Sequence, residues 1–175
     1  MTHAHTKRLI ETWRSSRGDR RLPPRVDISP AALGPLLPQV FILGETGADD
    51  GWRFRLAGGF VNDLFARDLR GASFLSLFGA PDRAGVEAAL HRARASAEPV
   101  VLKVLARGGD GRVLGLELTL APATGPTEAA DRILGLVQPT SAMGRLAGAP
   151  VTRLHLAGSD AAPAPSRLRL VVDNT

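Results

Sequence analysis

The feature that most constrains this chain lies between Val100 and Ala121, where two long runs flank the sequence Gly108-Gly109-Asp110-Gly111. Leu114, Leu116, Leu118 and Leu120 fall on one side of the second run, and Val113, Gly115, Glu117 and Thr119 on the other, the period of two that a strand requires. Val100 to Arg107 is its natural partner, and Arg112 to Ala121 returns along it, because the intervening glycines permit the positive φ angles of a hairpin loop. A lone hairpin is marginal in water, so the rest of the chain must supply more strands and a covering layer.

Three further strands are legible. Gln39 to Leu43 (QVFIL) is closed by the loop GETGADDG, and the run after it alternates Trp52, Phe54 and Leu56 with Arg53, Arg55 and Ala57, one apolar face against one charged face. Arg132 to Gln138 is the last core strand. Residues 5–17 place Leu9, Ile10 and Trp13 on one side of an amphipathic helix, with Lys7, Arg8, Glu11 and Arg14 elsewhere. Ser29-Pro30 has the form of an N-cap with proline at the first helical position, which predicts a short helix from Ala31 to Leu37. Between Gly58 and Phe78, glycines at 58, 59, 71 and 79 break the pattern into short helical pieces. Pro81 opens a longer helix in which Val86, Ala89, Leu90, Ala93 and Ala97 share a face.

This order predicts an α+β chain in three parts. Residues 1–28 form the N-terminal helix and a basic linker, 29–140 the core, and 141–175 a C-terminal extension that is either extra strands or flexible. Within the extension Val151 to Leu156 and Arg167 to Val172 are weak strand candidates.

Charge narrows the function classes. Residues 1–25 hold seven basic side chains against Glu11 and Asp19, so this segment alone carries the net charge of +5 and the remainder is neutral. Only Lys7 and Lys103 are lysines; the other basic residues are arginines, in a chain also rich in Ala, Gly and Pro, a mixture that codon bias in a GC-rich genome produces without any function. Nucleic acid is therefore not the expected partner. No apolar run approaches the roughly 20 residues of a membrane span, and the first residues lack the apolar stretch of a secretory signal, so the expected location is the cytoplasm.

The arrangement of helix, two strands, short helices, one longer helix and three strands resembles the PAS fold, a five-stranded antiparallel sheet with short helices on one face. The wording is similar to a single-domain bacterial PAS family abundant in alphaproteobacteria. The resemblance rests on Trp13-Arg14, Arg21-Leu22-Pro23-Pro24-Arg25, Leu36-Leu37-Pro38, Phe54-Arg55-Leu56-Ala57-Gly58 and Leu69-Arg70-Gly71-Ala72-Ser73-Phe74, and it covers about residues 8–140. It implies a sensory or protein-interaction role rather than a particular ligand.

The resemblance also implies where a ligand would sit, between the sheet and the short helices. Here that space is lined by Phe54, Leu56, Phe65, Phe74, Leu77, Leu90, Leu116 and Leu118, which are equally what a solid core would contain. The cofactor stays unknown. With no cysteine, the flavin adduct of light-sensing relatives is excluded, whereas flavin held without an adduct has no motif to support it. Haem-binding relatives place an axial histidine on the long helix; His91 lies there, but on the side of Glu87, Arg94 and Glu98, away from Val86, Leu90 and Ala93.

Other candidates have plainer readings. His3 and His5 lack the carboxylate or second cluster of a metal site, so no metal is expected. His155 has no serine and carboxylate that can be argued to converge on it, and the glycines at 108, 109 and 111 join two strands rather than opening a helix as a dinucleotide loop does. Arg17, Arg20, Arg21 and Arg25 could contact an anion or a cyclic dinucleotide, set against a solvated linker paired locally with Asp19 and Asp27. The expectation is a signalling domain, not an enzyme, that acts through an unidentified protein partner and as a homodimer through Leu9, Ile10 and Trp13. No output domain fits within 175 residues. The alternative is a small-molecule receptor, with haem or an apolar ligand in the pocket or a cyclic dinucleotide on the arginine-rich linker.

Overall fold

The computed structural model describes residues 2–47 and 51–161. Helix α1 (Ala4–Arg17) leads through a linker into a short helix α2 (Pro30–Leu33), then a 3-10 stretch at Gly34–Gln39. Strands β1 (Val40–Glu45) and β2 (Trp52–Ala57) follow, then α3 (Gly59–Phe65), a 3-10 turn at Leu75–Leu77 and the long helix α4 (Ala80–Ser96). The chain ends its described part with β3 (Val100–Gly108), β4 (Val113–Ala123), β5 (Arg132–Pro139) and β6 (Val151–Ala161).

All strands join one antiparallel sheet in the order β2-β1-β5-β4-β3-β6. The expected sheet of five strands is therefore corrected to six among the described residues. The added strand is the Val151 to Leu156 candidate, extended to Ala161 and paired along β3 from Val100 to Gly108. The pairing satisfies the N–H and C=O groups that β3 would otherwise leave open at the sheet edge. Arg167 to Val172 lies outside the described residues.

The central hairpin has the expected register, with Val104 opposite Leu116 and Leu102 opposite Leu118. Its loop is closed by the Gly108 amide on the Arg112 carbonyl at 2.8 Å, and Gly111 takes φ 83°, a conformation that favours glycine. Leu114, Leu116, Leu118 and Leu120 are buried on the face covered by α3, the Leu75–Leu77 turn and α4. Leu154 and Leu156 of β6 extend that face, and Leu156 lies so close over Gly85 of α4 that a methyl group there would touch it at 2.8 Å.

The opposite face of the sheet is covered over β1, β5 and the end of β4. Leu9 and Trp13 of α1, with Leu22, Ile28, Leu33 and Leu36, pack on Val40, Ile42, Ala121, Ala123, Leu134 and Leu136. The middle of the sheet is therefore covered on both sides, which explains why β1 and β5 are apolar on both faces.

Alternation misleads at one strand. The β1–β2 register shifts between Ile42 and Leu43, so that Leu43 faces Phe54 but Ile42 faces Leu56, and Arg55 is the extra residue of a bulge. Beyond the bulge the parity reverses. Leu56, expected on the inner face, turns to the outer one and is 41% exposed, while Ala57 packs inward.

Candidate functional site

The space between the sheet and the short helices is filled. Phe41, Phe54 and Phe74 lie with ring centroids 5.6–5.7 Å apart, and Phe78 joins Phe74 at 5.5 Å. The Phe41 ring reaches across β5 because its cross-strand partner is Gly135; a methyl group there would collide with the ring. Phe54, Phe65, Phe74, Leu77, Leu116 and Leu118 surround what remains, a void of about 10 Å³. Leu90 is buried in the same core without lining the void, and Leu56 is outside it. A void needs roughly 10–15 Å³ to hold one water molecule, and ligand pockets run to roughly 300–1,000 Å³.

The residues expected at a dimer interface are otherwise employed. Leu9, Ile10 and Trp13 are at most 1% exposed, Leu9 and Trp13 dock on the chain's own sheet, and the Trp13 indole donates to the Pro122 carbonyl at 2.7 Å. In the single chain these residues, expected at a homodimer interface, lie buried, since an amphipathic face seals against whichever apolar surface is tethered beside it. Polar contacts fix the start of this helix: Thr6 Oγ1 donates to buried Glu117 at 2.7 Å, the His3 amide donates to the same carboxylate at 3.0 Å, and a His5 ring nitrogen meets Gln138 at 2.8 Å. His3 caps α1 by accepting from the His5 amide. Among the described residues no group of three or more His, Cys, Asp and Glu could hold a metal ion. His155 does meet a carboxylate, Asp82 at 3.2 Å, on the partly exposed margin between β6 and α4.

The arginines between 17 and 25 divide. Arg17 turns to Glu98 at 2.7 Å and lies over the Trp13 ring at 4.9 Å. Arg20 binds Asp27 at 2.8 Å and the Ser16 carbonyl at 2.7 Å, and so braces the linker. Arg25 is part-buried, its Nε without a hydrogen-bond partner among the described residues. Arg20 and Arg21 together line an open cleft of about 730 Å³ walled by three elements. The linker supplies Arg20, Arg21, Leu22 and Pro24; the last turns of α4 supply His91, Arg94 and Ala95; the β4–β5 loop supplies Thr124, Glu128 and Ala130.

Hydrogen bonds tie these walls together. The Thr124 amide donates to Pro23 O at 3.0 Å, the Arg25 amide returns to Thr124 O at 2.9 Å, and Arg21 donates to the Ala95 carbonyl at 2.9 Å. Arg94 is held by Glu45 at 2.6 Å and lies over the Trp52 ring at 5.5 Å. The helical wheel places His91 and Arg94 together on the outer side of α4, as the sequence suggests; the β4–β5 loop carries no pattern that would announce Thr124 or Glu128.

A sequence profile of the family described as PAS domain matches residues 1–138. This chain belongs to the PAS domain family. Its match takes in α1 and all of the sheet except the last residue of β5 and β6. Solved structures similar to this PAS domain include the LOV protein of Rhodobacter sphaeroides, 13% identical, with 82% of this chain and 71% of that one covered and a TM-score of 0.48. An RNA-binding light-oxygen-voltage receptor is 16% identical over 71% of this chain and 36% of the other, also at a TM-score of 0.48. No curated protein matches the chain.

The phenylalanine cluster occupies the volume that a ring system would need, the sequence has no cysteine, and His91 is exposed on the outer side of α4. No helix among the described residues is long and apolar enough to cross a membrane.

Proposed function

We propose that this sensory-type PAS domain is a non-enzymatic signalling module that works in the cytoplasm by contact with other proteins, a second copy of itself included, rather than through a ligand enclosed in its core. The observation that carries the reading is the void of about 10 Å³ between sheet and helices, where Phe41, Phe54, Phe74 and Phe78 take the place of a ligand. A domain with a solid interior must exchange information through its surface, by a change in what it binds. With α1 sealed on its own sheet, self-association would use other surface, for instance that around Leu105 and Val113, which lie exposed on neighbouring positions of β3 and β4.

Native mass spectrometry of the freshly purified chain, with an absorbance spectrum, tests this. The expected species is the bare chain of 18.4 kDa or twice that mass, with no band beyond that of tryptophan. A bound small molecule released only on unfolding would overturn the reading. So would a strict monomer that keeps that state at every concentration and gains no mass from any protein of the same cell.

A further inference from the structure

We infer that the cleft between the linker, α4 and the β4–β5 loop is a binding site for a small phosphorylated molecule with a flat ring, of nucleotide size. This inference goes beyond the signalling role and does not depend on it. The cleft's volume of about 730 Å³ lies in the range of small-molecule sites, roughly 300–1,000 Å³, whereas the interior does not.

Its chemistry is divided in the way such a ligand demands. Leu22, Pro24, Ala95 and Ala130 offer apolar surface on which a flat ring can lie, and Thr124 and Glu128 offer hydrogen-bonding groups for ring or sugar edges. Arg21 and His91, both exposed, stand with Arg94 on the rim. A guanidinium presents paired N–H groups that match two oxygens of a phosphate, and its face can stack on a ring.

The rim charges do not all count equally. Arg20 and Arg94 are already paired with Asp27 and Glu45, so they contribute local donors more than net charge. Arg21 is anchored by the Ala95 carbonyl, and Glu128 is the one acid among the lining residues. Arg21 therefore supplies the decisive charge. Because the linker after α1, the end of α4 and the loop after β4 meet at this cleft, an occupant would couple the N-terminal segment to the core, as expected for a surface through which a signal enters.

Calorimetric titration of the whole chain with the ribonucleoside monophosphates, cyclic diguanylate, adenosine and inorganic phosphate reads the site. At least one nucleotide should bind saturably, more tightly than adenosine or phosphate alone, and more weakly as salt rises. Arg21→Glu and His91→Glu should each weaken it by about tenfold or more, since each sets an acid where a phosphate would lie, while Arg153→Glu on β6 should leave it unchanged. Both target residues are exposed; Arg21→Glu also removes the bond to the Ala95 carbonyl, so a melt unchanged from that of the parent chain accompanies the binding of each variant. No saturable binding by any nucleotide, or binding indifferent to both cleft variants, overturns the assignment. A nucleoside that binds as well as its phosphate does so too.

Discussion

Replacing Trp13 with alanine separates two roles for α1. If the helix seals the chain's own sheet, the loss appears as stability; if it joins two chains, it appears as mass. Trp13 has no exposed surface, its indole donates to Pro122 at 2.7 Å, and Arg17 lies on its ring. Truncating a buried Trp costs about 3–5 kcal/mol, which includes the cavity left behind. The lost hydrogen bond lies within that figure, because the Pro122 carbonyl is left buried when its donor goes.

Against a stability of about 5–15 kcal/mol for a domain, the loss is severe yet survivable. With a urea slope of about 2 kcal/mol per molar, the midpoint should fall by about 2 M, from about 4 kcal/mol lost. Urea unfolding followed by far-ultraviolet circular dichroism reads this directly, at two protein concentrations. A fall below about 0.5 M, or a loss of dimer mass with the midpoint unmoved, would refute the packing described for α1.

Other residues make sharper or opposite tests. Gly135→Ala should destabilise by about 1–3 kcal/mol or more, since the new methyl group collides with the Phe41 ring, and thermal melting would show it; an unchanged melt would mean that Phe41 has room to move. Leu56→Ser, by contrast, should stay within about 0.5 kcal/mol because the bulge at Arg55 turns that side chain outward; a core-sized loss in chemical denaturation would place it inside after all. Thr6→Val keeps the shape but removes the donor to buried Glu117, which predicts a loss of about 1–3 kcal/mol and faster amide exchange in the first turns of α1. If exchange there is unaltered, the Glu117 contact does not hold the helix start.

Most of the frame was readable in the sequence because it rests on local pattern. The period of two from Leu114 to Leu120, the Gly108–Gly111 loop and the apolar spacing of Val86, Ala89, Leu90 and Ala93 each describe a short-range geometry that tertiary contacts then kept. What the pattern missed was set by pairing. The bulge at Arg55 depends on how β2 meets β1, and nothing within WRFRLA signals that the parity of Leu56 will reverse. The sixth strand is equally a matter of partnership, since Val151 to Ala161 forms a strand only against the open edge of β3. An amphipathic stripe such as Leu9, Ile10 and Trp13 states that it will be buried but not on what. The interior candidates were a list that fits a pocket and a core alike; only the distances between phenylalanine rings tell them apart. The cleft was half legible, for Arg20 and Arg21 stand out within one group of arginines and His91 apart from them, while their meeting depends on the linker crossing from α1 to the end of β4.

The most direct test of a solid interior is methyl NMR on the Leu and Val residues that line its void, Val61, Leu64, Leu77, Leu116, Leu118, Val137 and Leu154, while flavin mononucleotide and then haem are added. The packing predicts that these signals keep their positions, whatever happens to Leu22 at the cleft. Saturating shifts of the lining methyls, in one-to-one proportion to either ring system, would show that the core opens to a ligand and would contradict the account.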